Sequence, residues 1–450
     1  LTTKIPTLQM YPNLYYAFKD WFGVEWHGLS FLNTFGLMVA MGFVTAAIVL
    51  SKELQRKEKE GLLSPREEMI TVGKPASFTD LIINAFVGFI FGYKILGLFF
   101  NKPDAVNPQD YIFSSEGNII GGLVLAGLLT GFKWWEKNKQ KLKEPEKRNV
   151  RIWPHDRVGD IIILGLVFGI IGAKLFDNLE NWNDFIKDPI GRLFSASGLT
   201  FYGGLILAAI AICWYAAKKG IKVIHLVDAA GLALLLAYAV GRIGCQVSGD
   251  GDWGIYNSAY VVNAEGKVVE AGPGDYQAQL KKHASYYLKG EVYNNDSAIV
   301  QVTDRTYETL DEVPHRYMKA PSFLPIWMAA YTYPQNVNKD GVQMSDCTEE
   351  HCRALPQPVF PTPFYETVVC TLLFLILWAI RRRIKVPGVM FGIYLIVNGL
   401  ERFTVELFRV NNTYSIFGFH PTQAEIISAL LILAGIILIN IVKRKAASRD

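Results

Sequence analysis

IHLVDAAGLALLLAYAVGRIGCQVSGDGDWG, residues 224–254, is apolar over its first 20 positions apart from His225, Asp228 and Arg242, and then gives way to glycine and aspartate. A hydrocarbon layer of about 30 Å takes roughly 20 residues of helix to cross, so residues 224–243 read as a membrane span. The end of the stretch is its informative part: GRIGCQVSGDGDWG at 241–254 holds an arginine, two aspartates, a tryptophan and five glycines. Glycine lets backbone amides come close to a ligand and form anion-binding turns. An arginine beside such backbone at headgroup depth suits a phosphate.

Eight further segments pass the same test, near 30–50, 79–100, 118–134, 159–177, 199–217, 363–380, 387–408 and 422–442. Backbone polar groups in lipid must bond internally, and none of the segments alternates like a barrel strand, so all nine are expected to be helices. Of the 450 residues 51% are hydrophobic and only 19% charged, too apolar for an ordinary soluble chain. The small formal charge of +4 gathers in clusters between apolar segments, which speaks for membrane orientation and against nucleic-acid binding. Basic residues fill alternate connections: KELQRKEKE at 52, KWWEKNKQKLKEPEKRNVR at 133, KKGIK at 218, RRRIK at 381 and KRKAASR at 443. The positive-inside rule then predicts an outer N-terminus and a cytoplasmic C-terminus. No cleavable signal pattern opens the sequence, and the first span is expected to serve as an uncleaved signal.

The long connection at 244–362 falls outside. It contains AYVVNAEGKVVE, in which AEG reads as a turn between short strands. The expected architecture is an all-α polytopic membrane bundle of about nine transmembrane helices with a small extracytoplasmic α+β head domain. Its parts are an N-terminal segment and first span (1–54), a transmembrane hairpin with basic cytoplasmic loops (55–155), core spans and the signature stretch (156–254), the head (255–360) and three C-terminal spans (361–450).

Three places put polarity at the outer ends of helices: Arg242 in GRIG, ERFTVELFR at 401–409, and LTFYGG at 199–204. Arg402, Glu406 and Arg409 are spaced i, i+4, i+7 and share one helix face. In a soluble helix that would be a solvated stripe. Ionisable residues interrupting an apolar span instead tend to face a bundle interior or a polar cavity. Tyr202 in FYGG reads equally as a belt tyrosine or as a group able to take a proton if arginine stabilises its phenolate. Lys174 lies near an outer helix end and either adds charge to the site or snorkels. GDGD also matches the GxGD of intramembrane aspartyl proteases at Asp252, but Asp228 lies about four turns away on the same helix and cannot share a proton with it.

No histidine or cysteine set has metal spacing, so neither metal nor cofactor is expected. Cys347 and Cys352 in CTEEHC are a disulfide candidate if their loop faces an oxidising compartment. Walker, dinucleotide and G-x-S-x-G patterns are absent from the sequence.

Four elements together resemble the bacterial prolipoprotein diacylglyceryl transferase family. GRIGCQVSGDGDWG is similar to its G-R-[IL]-G-N-F-x-N-G-E-x-W-G, LTFYGGLI to S-F-H-G-G-L-I, ERFTVELFR to F-R-x-x-V-E-F-F-R, and FGLMVAMGF at 35–43 to Y-G-L-M-x-x-x-G-F, in the same order. The resemblance implies seven inner-membrane helices plus the hairpin at 55–155, and a periplasmic head. It implies transfer of the diacylglyceryl group of phosphatidylglycerol to the lipobox cysteine of a prolipoprotein signal peptide, with glycerol phosphate released. It implies that Arg242 and Arg402 hold the lipid phosphate and that Glu406 orients an arginine or the glycerol. Gly203, Gly204, Gly244, Asp250, Asp252, Trp253, Gly254, Arg409, Lys174 and Phe35 would line the substrate. This sequence departs from the pattern at Cys245 and Gln246, at Tyr202 in place of the histidine, at Phe35 in place of tyrosine, at Lys174 in place of arginine, and by one extra residue before Trp253.

The thiol proton would pass to Tyr202, or to a carboxylate among Asp250, Asp252 and Glu406, with Cys245 structural. Two other readings compete. One is a phospholipid-binding or transport protein using the same arginines without chemistry; the other is an intramembrane protease.

Overall fold

Helices occupy all nine apolar segments in the computed structural model, which describes residues 9–100, 111, 115–195, 198, 200–288, 307–345, 347–409, 414 and 418–448. They are α1 (Thr34–Lys59), α2 (Phe78–Phe91), α3 (Ile119–Lys139), α4 (Val158–Glu180), α5 (Phe201–Lys218), α6 (Val223–Ser248), α7 (Thr362–Ile380), α8 (Val389–Glu406) and α9 (Gln423–Ala447). Among the described residues, seven helices are long and apolar enough to cross a membrane; α2 reaches that length through a π-turn at Gly92–Leu96. The other two are α3, whose last turns are KWWEKNK, and α8, which carries Glu401, Arg402 and Glu406 within 18 residues. The protein is a mostly helical, multi-pass membrane protein.

Contacts divide the chain into two compact units, one of residues 1–25, 32–49 and 227–450, the other of 26–31 and 50–226. In the second, α2 packs on α3 and α4 on α5. Lipid offers no hydrophobic drive between helices, so close backbone approach over small residues holds such pairs together. Gly204 illustrates it: a Cβ there would stand 2.7 Å from the carbonyl oxygen of Gly169. The basic connections also hold a feature absent from the sequence reading. Strand β1 (Arg66–Val72) pairs antiparallel with β2 (Glu146–Ile152), from Arg66 opposite Ile152 to Val72 opposite Glu146. Glu68 ties this ribbon to Arg157 at 2.6 Å and Lys219 at 3.5 Å.

In the first unit, α8 packs along α9 and against α7. Between α6 and α7 lie short strand pairs: β3 (Tyr256–Asn257) parallel to β6 (His315–Arg316), β4 (Tyr260–Val262) antiparallel to β5 (Val268–Glu270), and β7 (Val342–Gln343) antiparallel to β8 (Arg353–Ala354). The β4–β5 hairpin is the one expected around AEG. Met10, Trp253, Tyr331, Tyr333, Leu355 and Val359 form a buried cluster in the same unit. Cys347 and Cys352 are joined in a disulfide, their Cα atoms 5.4 Å apart.

Candidate functional site

Helix α6 runs on to Ser248, so Gly241 and Gly244 lie within it and their amides are spent in its hydrogen bonds. The expected anion nest on those glycines is therefore absent. Gly244 instead admits α1: a Cβ there would stand 2.9 Å from Cβ of Met38 and 3.3 Å from the Phe35 backbone. The turn comes later, at Gly249 and Gly251, whose φ angles of 65° and 93° are open to glycine.

That turn brings Asp252 back to its own helix. Nη1 of Arg242 donates to Oδ2 of Asp252 and, at 3.3 Å, to Sγ of Cys245. Nη2 of Arg409, just past α8, donates to Oδ1 of Asp252 at 2.5 Å. On its other side Arg242 pairs with Glu366, fully buried in the second turn of α7. Oε1 of Glu366 accepts from Nη1 of Arg402 at 3.0 Å and from the Tyr238 hydroxyl at 2.9 Å, and Nη1 of Arg409 lies 3.9 Å away. Nη1 of Arg402 also donates to the Tyr238 hydroxyl at 2.9 Å. Three helices and a glycine turn thus gather Arg242, Arg402 and Arg409 around Glu366 and Asp252. In these pairs three guanidiniums face two carboxylates, and Glu401 and Asp250 stand within electrostatic reach of the same arginines.

The two aspartates beyond α6 differ in character. Burial alone would raise the carboxyl of Asp252, but the charges of Arg242 and Arg409 outweigh it and hold it at about 2. The Asp250 carboxyl is raised from its ordinary value, by burial first and then by the charge of Asp252. Ligand atoms of Cys245, Asp250 and Asp252 lie within 4.8 Å of one another, yet Arg242 stands against both the thiol and Asp252, a setting that suits an anion better than a metal ion.

Other expected site residues have packing partners. Trp253, 4% exposed, belongs to the buried cluster and meets the Tyr333 ring at 5.0 Å. A Cβ on Gly254 would stand 2.9 Å from the Thr362 side chain, and Phe35 is exposed on α1. Glu406 is buried at the last position of α8. Tyr202, Gly203, Gly204 and Lys174 belong to the second unit. There Gly203 faces Phe176, and Nζ of Lys174 donates to Oγ of Ser195 at 2.9 Å and to the Gly198 carbonyl at 3.3 Å. Asp228, weighed as a protease aspartate, accepts from the amides of Gly388 and Phe391 at 2.9 Å each and caps the start of α8.

Glu366 and Tyr238 escaped the sequence reading. The signal for Glu366 was present, since it is an ionisable residue inside an apolar span, the criterion that singled out Arg402. Tyr238, one turn before Arg242, had no distinguishing context among the apolar residues around it.

The fold and this cluster define a class: a helical membrane protein with a buried arginine–carboxylate cluster built across its helix ends. The family model for prolipoprotein diacylglyceryl transferase matches residues 118–441, and the chain belongs to that family. It is 31% identical over 156 residues to the phosphatidylglycerol–prolipoprotein diacylglyceryl transferase of Leptospira interrogans serovar copenhageni, covering 29% of this chain and 46% of that protein. The proteins of the same name from Dehalococcoides mccartyi and Streptococcus pyogenes are 34% and 30% identical over 103 and 128 residues, covering 39% and 44% of their lengths and 23% and 28% of this chain. The chain thus spans less than half the length of these curated relatives.

Proposed function

We propose that this protein transfers the diacylglyceryl group of phosphatidylglycerol to the thiol of a prolipoprotein lipobox cysteine, forming a thioether and releasing glycerol phosphate. The observation that carries the reading is the Arg242–Glu366–Arg402 cluster with Arg409 and Asp252 beside it. Its guanidiniums suit a phosphodiester, and its carboxylates hold them in place before substrate arrives.

In the step itself the thiolate sulfur attacks the glycerol carbon that bears the phosphate, the carbon–oxygen bond breaks, and the electron pair leaves with the phosphate oxygen. Arg242 and Arg402 stabilise the charge growing on that oxygen. The thiol proton needs an acceptor. Asp252, tied to two arginines, is a poor one. Asp250, raised by burial and by the charge of Asp252, is the better base of the two. Tyr202 and Lys174 are assigned no step; Cys245, beside Arg242, is assigned a structural role.

The enzyme is placed in a bacterial cytoplasmic membrane with nine spans, seven of them family helices and two the hairpin α2–α3. The N-terminus and the head at 255–360 face outward and the C-terminus faces the cytoplasm. Purified protein in phosphatidylglycerol micelles with a lipobox peptide tests the reaction by mass spectrometry. A diacylglyceryl mass on the peptide cysteine, lost in Arg242→Ala and Arg402→Ala, is the expected result. Lipid binding without thiol modification, under conditions where a control transferase works, would instead favour phospholipid binding or transport.

A further inference from the structure

Residues 318–329, MKAPSFLPIWMA, leave and rejoin the head at one point. The buried side chain of Asn257 holds both ends: Nδ2 donates to the carbonyls of Met318 at 2.8 Å and Ala329 at 3.0 Å, and Oδ1 accepts from the Met318 amide at 3.2 Å. A loop pinned across its neck by a single amide keeps its shape without a core of its own. Within it, turns at Pro321 and Pro325 close through Leu324 and Met328.

What the loop presents is apolar. Phe323 is 82% exposed, and Met318, Leu324 and Ile326 are exposed as well; the one charged residue of the loop, Lys319 at its neck, is paired with Glu270 at 2.6 Å. In water such a patch marks an interaction surface.

Its position says with what. The Trp327 ring packs against Phe364 at 4.9 Å between centroids, and the Tyr365 hydroxyl donates to the Met328 carbonyl at 2.6 Å. Phe364 and Tyr365 lie in the first turn of α7, a helix long and apolar enough to span the membrane. The same helix continues the apolar surface downward through exposed Val368, Val369 and Leu372. The loop is therefore moored where a span enters the bilayer, at the depth favoured by aromatic side chains.

We propose that residues 318–329 form an anchor loop that seats the Phe323–Leu324 tip of the head in the interfacial layer of the bilayer. The role rests on the membrane setting alone and does not depend on the transferase chemistry.

The test is insertion depth in proteoliposomes. Phe323→Cys carries an environment-sensitive fluorophore, Glu265→Cys in the exposed β4–β5 turn is the aqueous control, and the unsubstituted chain sets the background from Cys213, Cys245 and Cys370. Expected at position 323 are a blue-shifted emission, strong quenching by lipids with a shallow acyl-chain nitroxide, and weak quenching by iodide, the reverse of position 265. Iodide quenching equal to that of the control would place the tip in water and overturn the proposal. Protection from both quenchers would mean that protein covers the loop, and would overturn it equally.

Discussion

Replacing Glu366 by glutamine keeps its shape and removes the charge that Arg242, Arg402 and Arg409 share. Breaking a buried ion pair costs about 3–5 kcal/mol because the remaining charges are left uncompensated. Glu366→Gln is therefore expected to lower the unfolding midpoint in detergent and to weaken activity together, whereas Glu366→Asp should recover part of both. Arg242→Ala and Arg402→Ala should lower turnover by roughly 100-fold or more, the scale seen when a donor to developing oxyanion charge is deleted. Asp250 predicts a pH effect. A base must be unprotonated to act, so activity should fall as pH drops through the raised value of its carboxyl, and Asp250→Asn should abolish that limb together with turnover. A turnover profile whose acid limb survives in Asp250→Asn would move the base elsewhere. At this scale the arginines were legible because charge inside an apolar span is costly, and Glu366 obeys the same rule. The pairing of Asp252 with two arginines was not legible, since it needs Arg409 to arrive from a helix more than 150 residues away.

Among elements, the helices were readable from length and apolarity, but their ends were not. Helix α6 continues through GRIGCQVS because its amides remain hydrogen-bonded within the helix, and that continuation takes Gly241 and Gly244 out of ligand-binding backbone and makes Gly244 a helix-packing position against Met38 and Phe35. Gly203 and Gly204 are of the same kind. Gly204→Val should separate α4 from α5 and cut the yield of folded protein in size-exclusion chromatography, while Gly159→Ala, with open space around it, should not. The cap on α8 offers another test. Asp228→Ala leaves the amides of Gly388 and Phe391 without their acceptor, a loss of about 1–3 kcal/mol for buried donors. It should lower thermal stability without changing the pH dependence of turnover. The β1–β2 ribbon went unread because its paired residues lie 74 to 86 positions apart, from Val72 with Glu146 to Arg66 with Ile152, and because charge in PREEMITV and EKRNVRI hides the strand pattern.

For the whole molecule, the proposed orientation makes the head and the β1–β2 ribbon lie on opposite sides of the membrane. In intact cells, Glu265→Cys should react with an impermeant maleimide and Glu67→Cys should react only after permeabilisation. Apolar lengths and the placement of charge alone mark the chain as a multi-pass helical membrane protein, locate its helices to within a few turns, and point to Arg242, Arg402 and Arg409. These follow from local terms: the residues needed to cross hydrocarbon, and the cost of charge within it. It takes the folded chain to show that Glu366 sits at the centre of the arginine cluster, that Asp228 caps a helix, and that Asn257 closes the loop at 318–329. Each of those depends on residues far apart in the chain meeting at hydrogen-bond distance, from 36 positions for Glu366 and Arg402 to 160 for Asp228 and Gly388, and no local pattern carries that distance.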